Sequence, residues 1–247
     1  MKKKLKVNIT IPVYNEEKIL EQSIDNLNNF LTLNFTDFEW EIVIADNASI
    51  DKTLTVAKQL QDKYEKVKVI HLDEKGRGRA LKKTWLASDA DIVSYMDVDL
   101  STNLNHFPEM IRGMQKNGCD IGTGSRLMKG SRTKRSFKRE FISRSYNMMI
   151  KVLFFTKFSD AQCGFKAVTR KVVDSIIKPY VEDTGWFFDS ELLIIGEKLG
   201  FKILDVPVEW IEDLDTRVKI IKTATDDIKG LLRVKKNFLK GIYKIGK

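Results

Sequence analysis

The chain has 247 residues, 43% of them hydrophobic and 31% charged, and a formal net charge of +9. This length fits one large α/β domain that can bury a full core. No uncharged apolar run approaches the roughly 18 to 20 residues of a bilayer-spanning helix, which argues against a membrane span. Two cysteines, Cys119 and Cys163, imply no disulfide framework and favour a reducing, cytosolic compartment.

The positive charge is concentrated in two segments. Residues 126–151 hold nine Lys and Arg against one Glu, and residues 217–247 hold ten against two Asp. Each segment carries +8, so the rest of the chain carries −7. This division argues against a protein that coats nucleic acid, and it predicts two local surfaces that face anions.

Strand and helix patterns alternate along the chain. The predicted elements are, in order, a strand at 6–13, a helix opened by 14–17, a strand at 40–45, a helix at 51–63, a strand at 67–72, a helix at 105–116, a strand at 119–124, helices near 171–177 and after 186–191, and a strand at 201–206. Their alternation predicts a parallel sheet with right-handed crossovers. The lysine-rich start resembles a signal peptide, but Asn8, Pro12 and Asn15 interrupt the apolar run behind it, which favours a strand.

A short apolar run from residue 92 ends in two carboxylates, Asp97 and Asp99. In a strand, side chains two residues apart point to the same face, so both carboxylates could reach one ligand. Such a pair of oxygen donors suits Mg²⁺ or Mn²⁺ carrying a phosphorylated substrate. Considered alone, an Asp-rich turn after a strand is the simpler interpretation.

The loop EKGRGRA at residues 74–80 combines glycines with basic side chains and leads into a helix. It lacks the third glycine of a dinucleotide-binding fingerprint. The pattern is typical both of a loop that approaches phosphate and of a plain capped turn, and the residues do not decide between them.

Two later segments are amphipathic. Residues 134–158 are basic at first and then rich in Met, Leu and Phe, so this segment either packs on a second apolar helix or contacts lipid. From residue 218 a helical pattern places apolar residues on one predicted face: Ile221, Ala224, Ile228, Leu231, Phe238, Ile242 and Ile245. This helix is predicted either to dock on the core or to lie on a membrane surface or partner.

Seven motifs in register carry a resemblance to a known family. They are PVYNEE at 12–17, DNAS at 46–49 with Asp51 and Thr53, KGRG at 75–78, DVD at 97–99, GSR at 124–126, DAQCGFK at 160–166 and FDSELL at 188–193. The chain resembles the inverting nucleotide-sugar transferases of glycosyltransferase family 2, specifically the dolichyl- or polyprenyl-phosphate hexose synthases. The resemblance spans residues 7–210 and is specific for the family but not for one substrate.

The resemblance implies an α/β GT-A fold, Rossmann-like and mostly parallel, with C-terminal amphipathic helices. We expect a catalytic domain at 1–210, in which 134–158 forms an acceptor-side, membrane-facing helix, and a basic helical segment at 211–247. The implied reaction moves a hexose from a nucleotide-sugar, UDP-glucose before GDP-mannose, to polyprenyl or dolichyl phosphate, with Mg²⁺ or Mn²⁺ as cofactor. The implied location is peripheral, on an anionic membrane surface at the cytosolic face.

The resemblance also implies roles for individual residues. The nucleotide-sugar set comprises Pro12, Tyr14 and Glu16 at the base and ribose, Asp46 as acceptor from the base, and Lys75, Gly76 and Asp97. The catalytic set comprises Asp97, Asp99, Asp160 and Arg126, with Asp99 as the more direct metal ligand and Asp97 beside it. The acceptor-phosphate set comprises Arg126, Arg139, Arg144 and Gln162.

The chemistry of the residues agrees with this implication. Departure of a nucleoside diphosphate builds negative charge, which a metal held by Asp97 and Asp99 and a nearby Arg would stabilise. A lipid phosphate is already anionic and needs no tuned base, consistent with His71 and His106 lying outside the motifs. A soluble glycan or protein hydroxyl is the alternative acceptor, and Asp160 would then be the base. A non-catalytic nucleotide- or anion-binding module would predict a broken metal motif, whereas this motif is intact.

Overall fold

A computed structural model describes residues 4–211 and 220–244 of the chain. Its strands are β1 Lys6–Val13, β2 Glu39–Asn47, β3 Val67–Leu72, β4 Ile92–Met96, β5 Ile121–Ser125, β6 Arg132–Lys134, β7 Phe165–Thr169, β8 Ile203–Pro207 and β9 Glu209–Ile211. Its helices are α1 Leu20–Asn34, α2 Thr53–Lys63, α3 Arg77–Ala87, α4 His106–Asn117, α5 Phe137–Phe154, α6 Arg170–Val172, α7 Lys178–Tyr180, α8 Phe188–Lys198 and α9 Ile220–Leu239, with a π-helical stretch Val173–Ile177 between α6 and α7.

Seven of these strands form one mixed sheet in the order β3-β2-β1-β4-β7-β5-β8, and β6 pairs with β9 separately. The pairs β1/β2, β2/β3, β1/β4 and β5/β8 are parallel, as the alternating pattern predicts. The predicted mostly parallel sheet is confirmed, with β7 as the exception, since it runs antiparallel between β4 and β5. This strand was not predicted, because its FKAVT sequence carries a lysine at a fully buried position.

Apolar side chains fill both faces of the sheet. In β4, Ile92 and Met96 belong to the cluster that packs against α1, α2 and α4, whereas Val93 and Tyr95 belong to the cluster under α5 and α8. Such alternation is what the two-residue period of a strand requires. Helices therefore cover both faces of the sheet. The ends of the strands remain accessible, and these are where open α/β sheets bind ligands.

The strand directions bring the sequence motifs to one edge. The carboxyl ends of β1, β2, β4 and β5 lie there, and so does the amino end of β7, because β7 runs the other way. Asp97 and Asp99 follow β4, Arg126 follows β5, and the DAQCGFK motif leads into β7. Motifs as far apart in the chain as residues 12–17 and 160–166 thus converge on one edge.

The helix α9 packs on the core, which is the core-docking alternative of the sequence analysis. Leu231 and Val234 are fully buried, and Gly230 lies so close to Phe187 that an added Cβ would sit 2.3 Å from the ring. The predicted apolar face is wrong at Ile228, which is 47% exposed.

The other residues of the predicted apolar face also include exposed ones. Ala224 and Ile242 are also exposed, so the buried stripe is rotated from the predicted one toward Asp227 and Gly230. A heptad pattern considers apolar residues alone, so it predicts neither a contact made by a glycine nor the burial of a carboxylate. Ile245 and the side chain of Ile221 lie outside the described residues.

Replacing Gly230 tests how tightly α9 docks. Gly230→Val adds a branched side chain where the Phe187 ring leaves no room, so it should lower the free energy of unfolding by about 1–3 kcal/mol. Ala224→Val, on the exposed side of the same helix, is the matched control and should change it by less than about 0.5 kcal/mol. Urea denaturation measures both. Equal effects of the two variants would contradict this docking.

Candidate active site

The nucleotide-side residues lie together at the ends of β1 and β2. Asp46 pairs with Val13 across the two strands, and Tyr14 follows directly. The Lys75 ammonium stacks 3.5 Å from the centre of the Tyr14 ring. Gly76 donates its backbone N–H to Asn47 Oδ1 at 2.7 Å, which joins the KGRG loop to the end of β2.

Two further residues of the predicted nucleotide set lie beside this group. Pro12 sits near the end of β1 opposite Ala45. The backbone N–H of Glu16 donates to Thr53 Oγ1 at 2.7 Å, which ties the turn after β1 to the start of α2. The structure therefore brings the predicted nucleotide residues to one place, and their contacts with a nucleotide stay a prediction.

Asp97 and Asp99 stand on the turn after β4, not in the strand itself. Asp99 is exposed, and its Oδ1 accepts from the Ser101 backbone N–H at 3.0 Å. The Asp97 side chain is 43% exposed. Desolvation raises the pKa of Asp97, and the like charges of Asp99 and Asp189 raise it further, against the lowering effect of Arg77.

Gly164 sets the space around the Asp97 carboxylate. A Cβ at this position would lie 1.8 Å from Asp97 Oδ2, so any side chain there would displace the carboxylate. Gly164, Asp97 and Asp99 line one small hollow with Leu100 and Ser101. The loop before β7 and the turn after β4 can approach so closely only because residue 164 has no side chain.

These two carboxylates fit a divalent metal ion. The described residues contain no cluster of three or more His, Cys, Asp or Glu arranged around one point. Mg²⁺ commonly binds through one or two carboxylates and takes its other ligands from substrate phosphates and water. The mutual repulsion of Asp97 and Asp99 would be relieved by such a cation, so the donor set suits Mg²⁺ or Mn²⁺ held together with a diphosphate.

Arg77 is a site residue that the sequence analysis did not select. Its Nη2 donates to Asp97 Oδ1 at 2.7 Å, and its Nη1 lies 3.4 Å from Asp189 Oδ2. The guanidinium also stacks on Trp186 and Tyr95, with 4.7 and 4.9 Å to the ring centres. Only 11% of its side chain is exposed. The Arg77 guanidinium beside Asp97 is thus held rigidly by ion pairs and by two aromatic rings.

Arg126 and Asp160 form a buried pair. Arg126 Nε and Nη2 donate to the two oxygens of Asp160 at 2.8 and 3.0 Å, and the Arg126 backbone N–H donates as well. Asp160 is fully buried. Burial would raise the pKa of Asp160, but the charge and hydrogen bonds of Arg126 outweigh it and lower the pKa to about 2.

This pairing decides what each partner can do. A carboxylate with both oxygens in hydrogen bonds and a pKa of about 2 is a poor proton acceptor at neutral pH, so the geometry does not suit Asp160 as a general base. Arg126 keeps 13% of its side chain exposed and lies close enough to Asp97 to lower the pKa of that group. Asp160 instead holds the Arg126 guanidinium near Asp97.

Gln162 connects the acceptor-side motif to the C-terminal helix. Its Nε2 donates to Oδ2 of Asp227 on α9 at 2.8 Å. Asp227 is 4% exposed, and its Oδ1 accepts no hydrogen bond from the described residues. Burial raises the pKa of Asp227 to about 7, opposed by the Gln162 hydrogen bond and assisted by Asp183 and other carboxylates. The sequence analysis did not select this residue.

The two predicted acceptor arginines lie on α5. Arg144 is 59% exposed and pairs with Glu140 at 2.5 Å on the same helix. The Arg139 backbone N–H lies in the first turn, where the Ser136 hydroxyl accepts from it. That Arg139 and Arg144 neutralise an acceptor phosphate stays a prediction.

The outer face of α5 exposes several large apolar side chains beside the exposed Arg144. Phe137 and Phe141 are 95% and 74% exposed, Met148 and Val152 on the same helix are also exposed, and Phe155, the residue after α5, is 80% exposed. The inner face packs on α9, where Lys235 Nζ donates to the Leu153 carbonyl at 2.8 Å. The sequence analysis left two alternatives for this segment, packing on a second helix and contact with lipid. Helix α5 has an inner face for the first and an exposed apolar face for the second. Across residues 4–211 and 220–244, none of the helices combines the length and low charge that crossing a bilayer requires.

Comparison with known proteins identifies the family. A model described as Glycosyl transferase family 2 matches residues 8–177, well over half of the chain. The chain belongs to glycosyltransferase family 2. The resemblance stated from the seven motifs is confirmed, and the chain is a glycosyltransferase.

Curated relatives of this family 2 chain include enzymes of lipid-linked sugar transfer. Glycosyltransferase AglD of Haloferax volcanii is 31% identical, and the match covers 88% of this chain and 35% of AglD. Dolichyl-phosphate beta-glucosyltransferase ALG5A of Trichomonas vaginalis is 32% identical, with 90% of this chain and 72% of that protein covered. The Dictyostelium discoideum dolichyl-phosphate beta-glucosyltransferase is 28% identical, with 97% and 76% covered. The chain therefore spans about a third of AglD and about three quarters of the other two.

Solved structures match the fold. Glucosyl-3-phosphoglycerate synthase from Mycobacterium tuberculosis in complex with UDP has a TM-score of 0.71 at 18% identity, covering 94% of this chain and 80% of that one. Its complex with Mn²⁺, UDP-glucose and phosphoglyceric acid has a TM-score of 0.70 at 17% identity and the same coverage. At such identity the likeness shows the fold alone, and it confirms the predicted GT-A architecture for this family 2 chain.

The raised pKa of Asp227 predicts a pH-dependent stability. The folded chain holds the proton more tightly than the unfolded chain, so the free energy of unfolding should fall as pH rises from about 4 to about 7 and then level off. Asp227→Asn removes this dependence. At pH 8 it should raise the free energy of unfolding by about 1–3 kcal/mol relative to wild type, and the thermal midpoint should rise with it. At pH 4 both changes should be small.

The control for this experiment lies on the same helix. Asp226→Asn makes the same charge change at an exposed neighbouring position and should shift the midpoint much less at pH 8. Thermal denaturation of the three proteins at pH 4, 6 and 8 gives the comparison. A gain from Asp227→Asn that is equal at all three pH values would show that its carboxyl does not titrate in this range.

Proposed function

We propose that this glycosyltransferase moves a hexose from a nucleotide-sugar to polyprenyl or dolichyl phosphate. UDP-glucose is the favoured donor, and GDP-mannose is the alternative donor. The observation that carries the proposal is the convergence of Asp97 and Asp99 with two buried cationic side chains, Arg77 and Arg126, at one edge of the sheet. The names of the relatives, two of them dolichyl-phosphate beta-glucosyltransferases, support the same class of acceptor.

The donor end of the reaction follows from charge. A Mg²⁺ or Mn²⁺ ion bound by Asp99, with Asp97 beside it, would neutralise the diphosphate that leaves the anomeric carbon. Arg77 lies next to Asp97 and is fixed by Asp189 and by two aromatic rings, so its charge needs no reorganisation as the leaving group forms. The residues of the β1 and β2 ends, with Lys75 and Gly76, would hold the nucleotide.

The acceptor end needs positive charge more than a base. A phosphate monoester is anionic at neutral pH and attacks without first losing a proton. Arg126, aligned by Asp160, is the buried cation on this side, and Arg139 and Arg144 on α5 would add charge outside it. The alternative with a hydroxyl acceptor required Asp160 as base, and the pKa of about 2 speaks against that role.

A lipid phosphate also requires contact with a membrane. Helix α5 exposes a row of large apolar side chains, and α9 packs beside it with exposed lysines such as Lys229 and Lys236. Apolar side chains that enter the headgroup region, together with cationic ones that attract anionic lipid, are what an interfacial helix uses. We propose that this α5/α9 surface attaches the enzyme peripherally to the cytosolic face of an anionic membrane.

A transfer assay tests the reaction. With purified full chain, Mn²⁺ and UDP-glucose, a short polyprenyl phosphate should accept glucose, and the matching uncharged polyprenol should not. Asp99→Asn should lower the rate about 100-fold or more, because metal and diphosphate lose their main ligand, while the fold survives. The exposed Asp62→Asn on α2 is the control and should retain full rate.

Two results of this assay would count against the proposal. Equal use of polyprenol and polyprenyl phosphate would replace the lipid-phosphate acceptor with a hydroxyl acceptor. Full activity of folded Asp99→Asn would remove the assigned metal site. Parallel reactions with GDP-mannose show which of the two donors the enzyme takes.

Vesicle binding tests the membrane surface. The full chain should bind vesicles of phosphatidylcholine and phosphatidylglycerol at low salt and be released at high salt. Phe141→Ser should weaken binding about fivefold, because a 74% exposed ring of α5 no longer enters the interface. Leu33→Ser, with 77% exposure on α1, is the matched control. Equal binding by both variants would refute the assignment to α5.

A further inference from the structure

His71 and Asp46 form a contact at the nucleotide end of the sheet. They face each other on the parallel strands β3 and β2, one step before those strands end. The His71 Nδ1–H donates to Asp46 Oδ2 at 2.6 Å. The histidine side chain is 40% exposed, whereas Asp46 is fully buried. The strand register alone places the imidazole against the carboxylate.

The second oxygen of Asp46 lacks a donor. Oδ1 is buried and accepts no hydrogen bond from residues 4–211 or 220–244. Neighbouring polar groups are already used: Asn47 Oδ1 accepts from Gly76, and the Lys75 ammonium stacks on Tyr14. A buried acceptor without a partner is costly, so Oδ1 is the atom that a ligand N–H would satisfy.

The number of Asp46 oxygens that lack a hydrogen-bond donor affects which nucleobase can bind. The pairing edge of uracil offers one N–H, at N3, between two carbonyl groups. The pairing edge of guanine offers two adjacent donors, N1–H and the N2 amino group, which together match both oxygens of a carboxylate. His71 Nδ1 lies 2.6 Å from Oδ2 and takes one of its lone pairs, so a guanine that used both oxygens would share Oδ2 with the imidazole, whereas the single N3–H of uracil needs Oδ1 alone.

We propose that His71 is a positioning residue that sets nucleobase choice: it holds Asp46 Oδ2 and so presents Oδ1 as a single acceptor for the N3–H of a uridine nucleotide. The inference rests on the proposed function, because it takes this end of the sheet as the nucleotide site. Asp46 is fully buried, so the proposal requires the side chains that cover Oδ1 to move aside when the base binds.

A purely structural His71–Asp46 pair is the competing interpretation. It would join the ends of β2 and β3, and its loss would lower stability without changing which nucleotide binds. The proposal instead requires a change in the ratio of UDP to GDP affinity. This ratio is insensitive to a uniform loss of folded protein, so it separates the two interpretations.

The experiment measures UDP and GDP binding to the full chain with Mn²⁺ by titration calorimetry. Wild type should bind UDP about tenfold or more tightly than GDP, and His71→Ala should lose most of that preference, as expected for one oriented hydrogen bond. His71→Gln, whose amide can still donate to Oδ2, should restore most of it. His106→Ala is the control, since His106 contacts Glu109 and the Glu209 backbone.

The outcomes are decisive in both directions. A preference for UDP that is unchanged in folded His71→Ala, or lost equally in His71→Ala and His71→Gln, overturns the proposal, as does a wild type that prefers GDP. Because these titrations need no acceptor, they are independent of the transfer assay. Transfer to polyprenyl phosphate with an unchanged His71→Ala ratio refutes this inference alone. The expected ratios without such transfer refute the proposed acceptor alone.

Discussion

The Arg77 guanidinium holds the site together. It bridges Asp97 after β4 and Asp189 on α8, and Asp189 in turn accepts from the Tyr95 hydroxyl and lies 3.6 Å from the Lys166 ammonium of β7. Apart from Asp97, whose side chain is 43% exposed, these charges are largely removed from water, so loss of one leaves the others uncompensated, which is far more costly than breaking an exposed ion pair. The position of Asp97 therefore depends on groups from four separate elements.

Local patterns were sufficient for strands β1 to β4 and for the place of the motifs, but not for every element. The strands β1 to β4 form where they were predicted, and β1, β2 and β4 are buried along most of their length, as expected for strands covered on both faces. The strand β7 escaped prediction because Lys166, a residue usually found at the surface, is fully buried there and bonded to the Cys163 carbonyl. The face of α9 was misjudged for a similar reason, since Asp227 and Gly230 occupy positions where an apolar residue is expected.

Pairings within the site could not be predicted from the chain alone. The motifs gave Asp46 and Gln162 as site residues, but not their partners. His71 meets Asp46 through the register of two parallel strands, and Asp227 meets Gln162 across 65 residues of sequence. Such contacts follow from tertiary packing and leave no local periodic signal. Partners of this kind decide the pKa of a carboxyl and the number of its oxygens that remain free for a ligand.

Gly164 has a consequence for how this sequence can change over evolution. Because the position of an added methyl group coincides with an Asp97 oxygen, residues 164 and 97 cannot vary independently. A larger residue at 164 becomes sterically acceptable only after Asp97 has shortened or moved, and that change removes a carboxylate from the catalytic turn. The two positions are therefore epistatic. Lineages of such enzymes that lost transferase activity would be free to acquire a side chain at 164, whereas active lineages would retain the glycine.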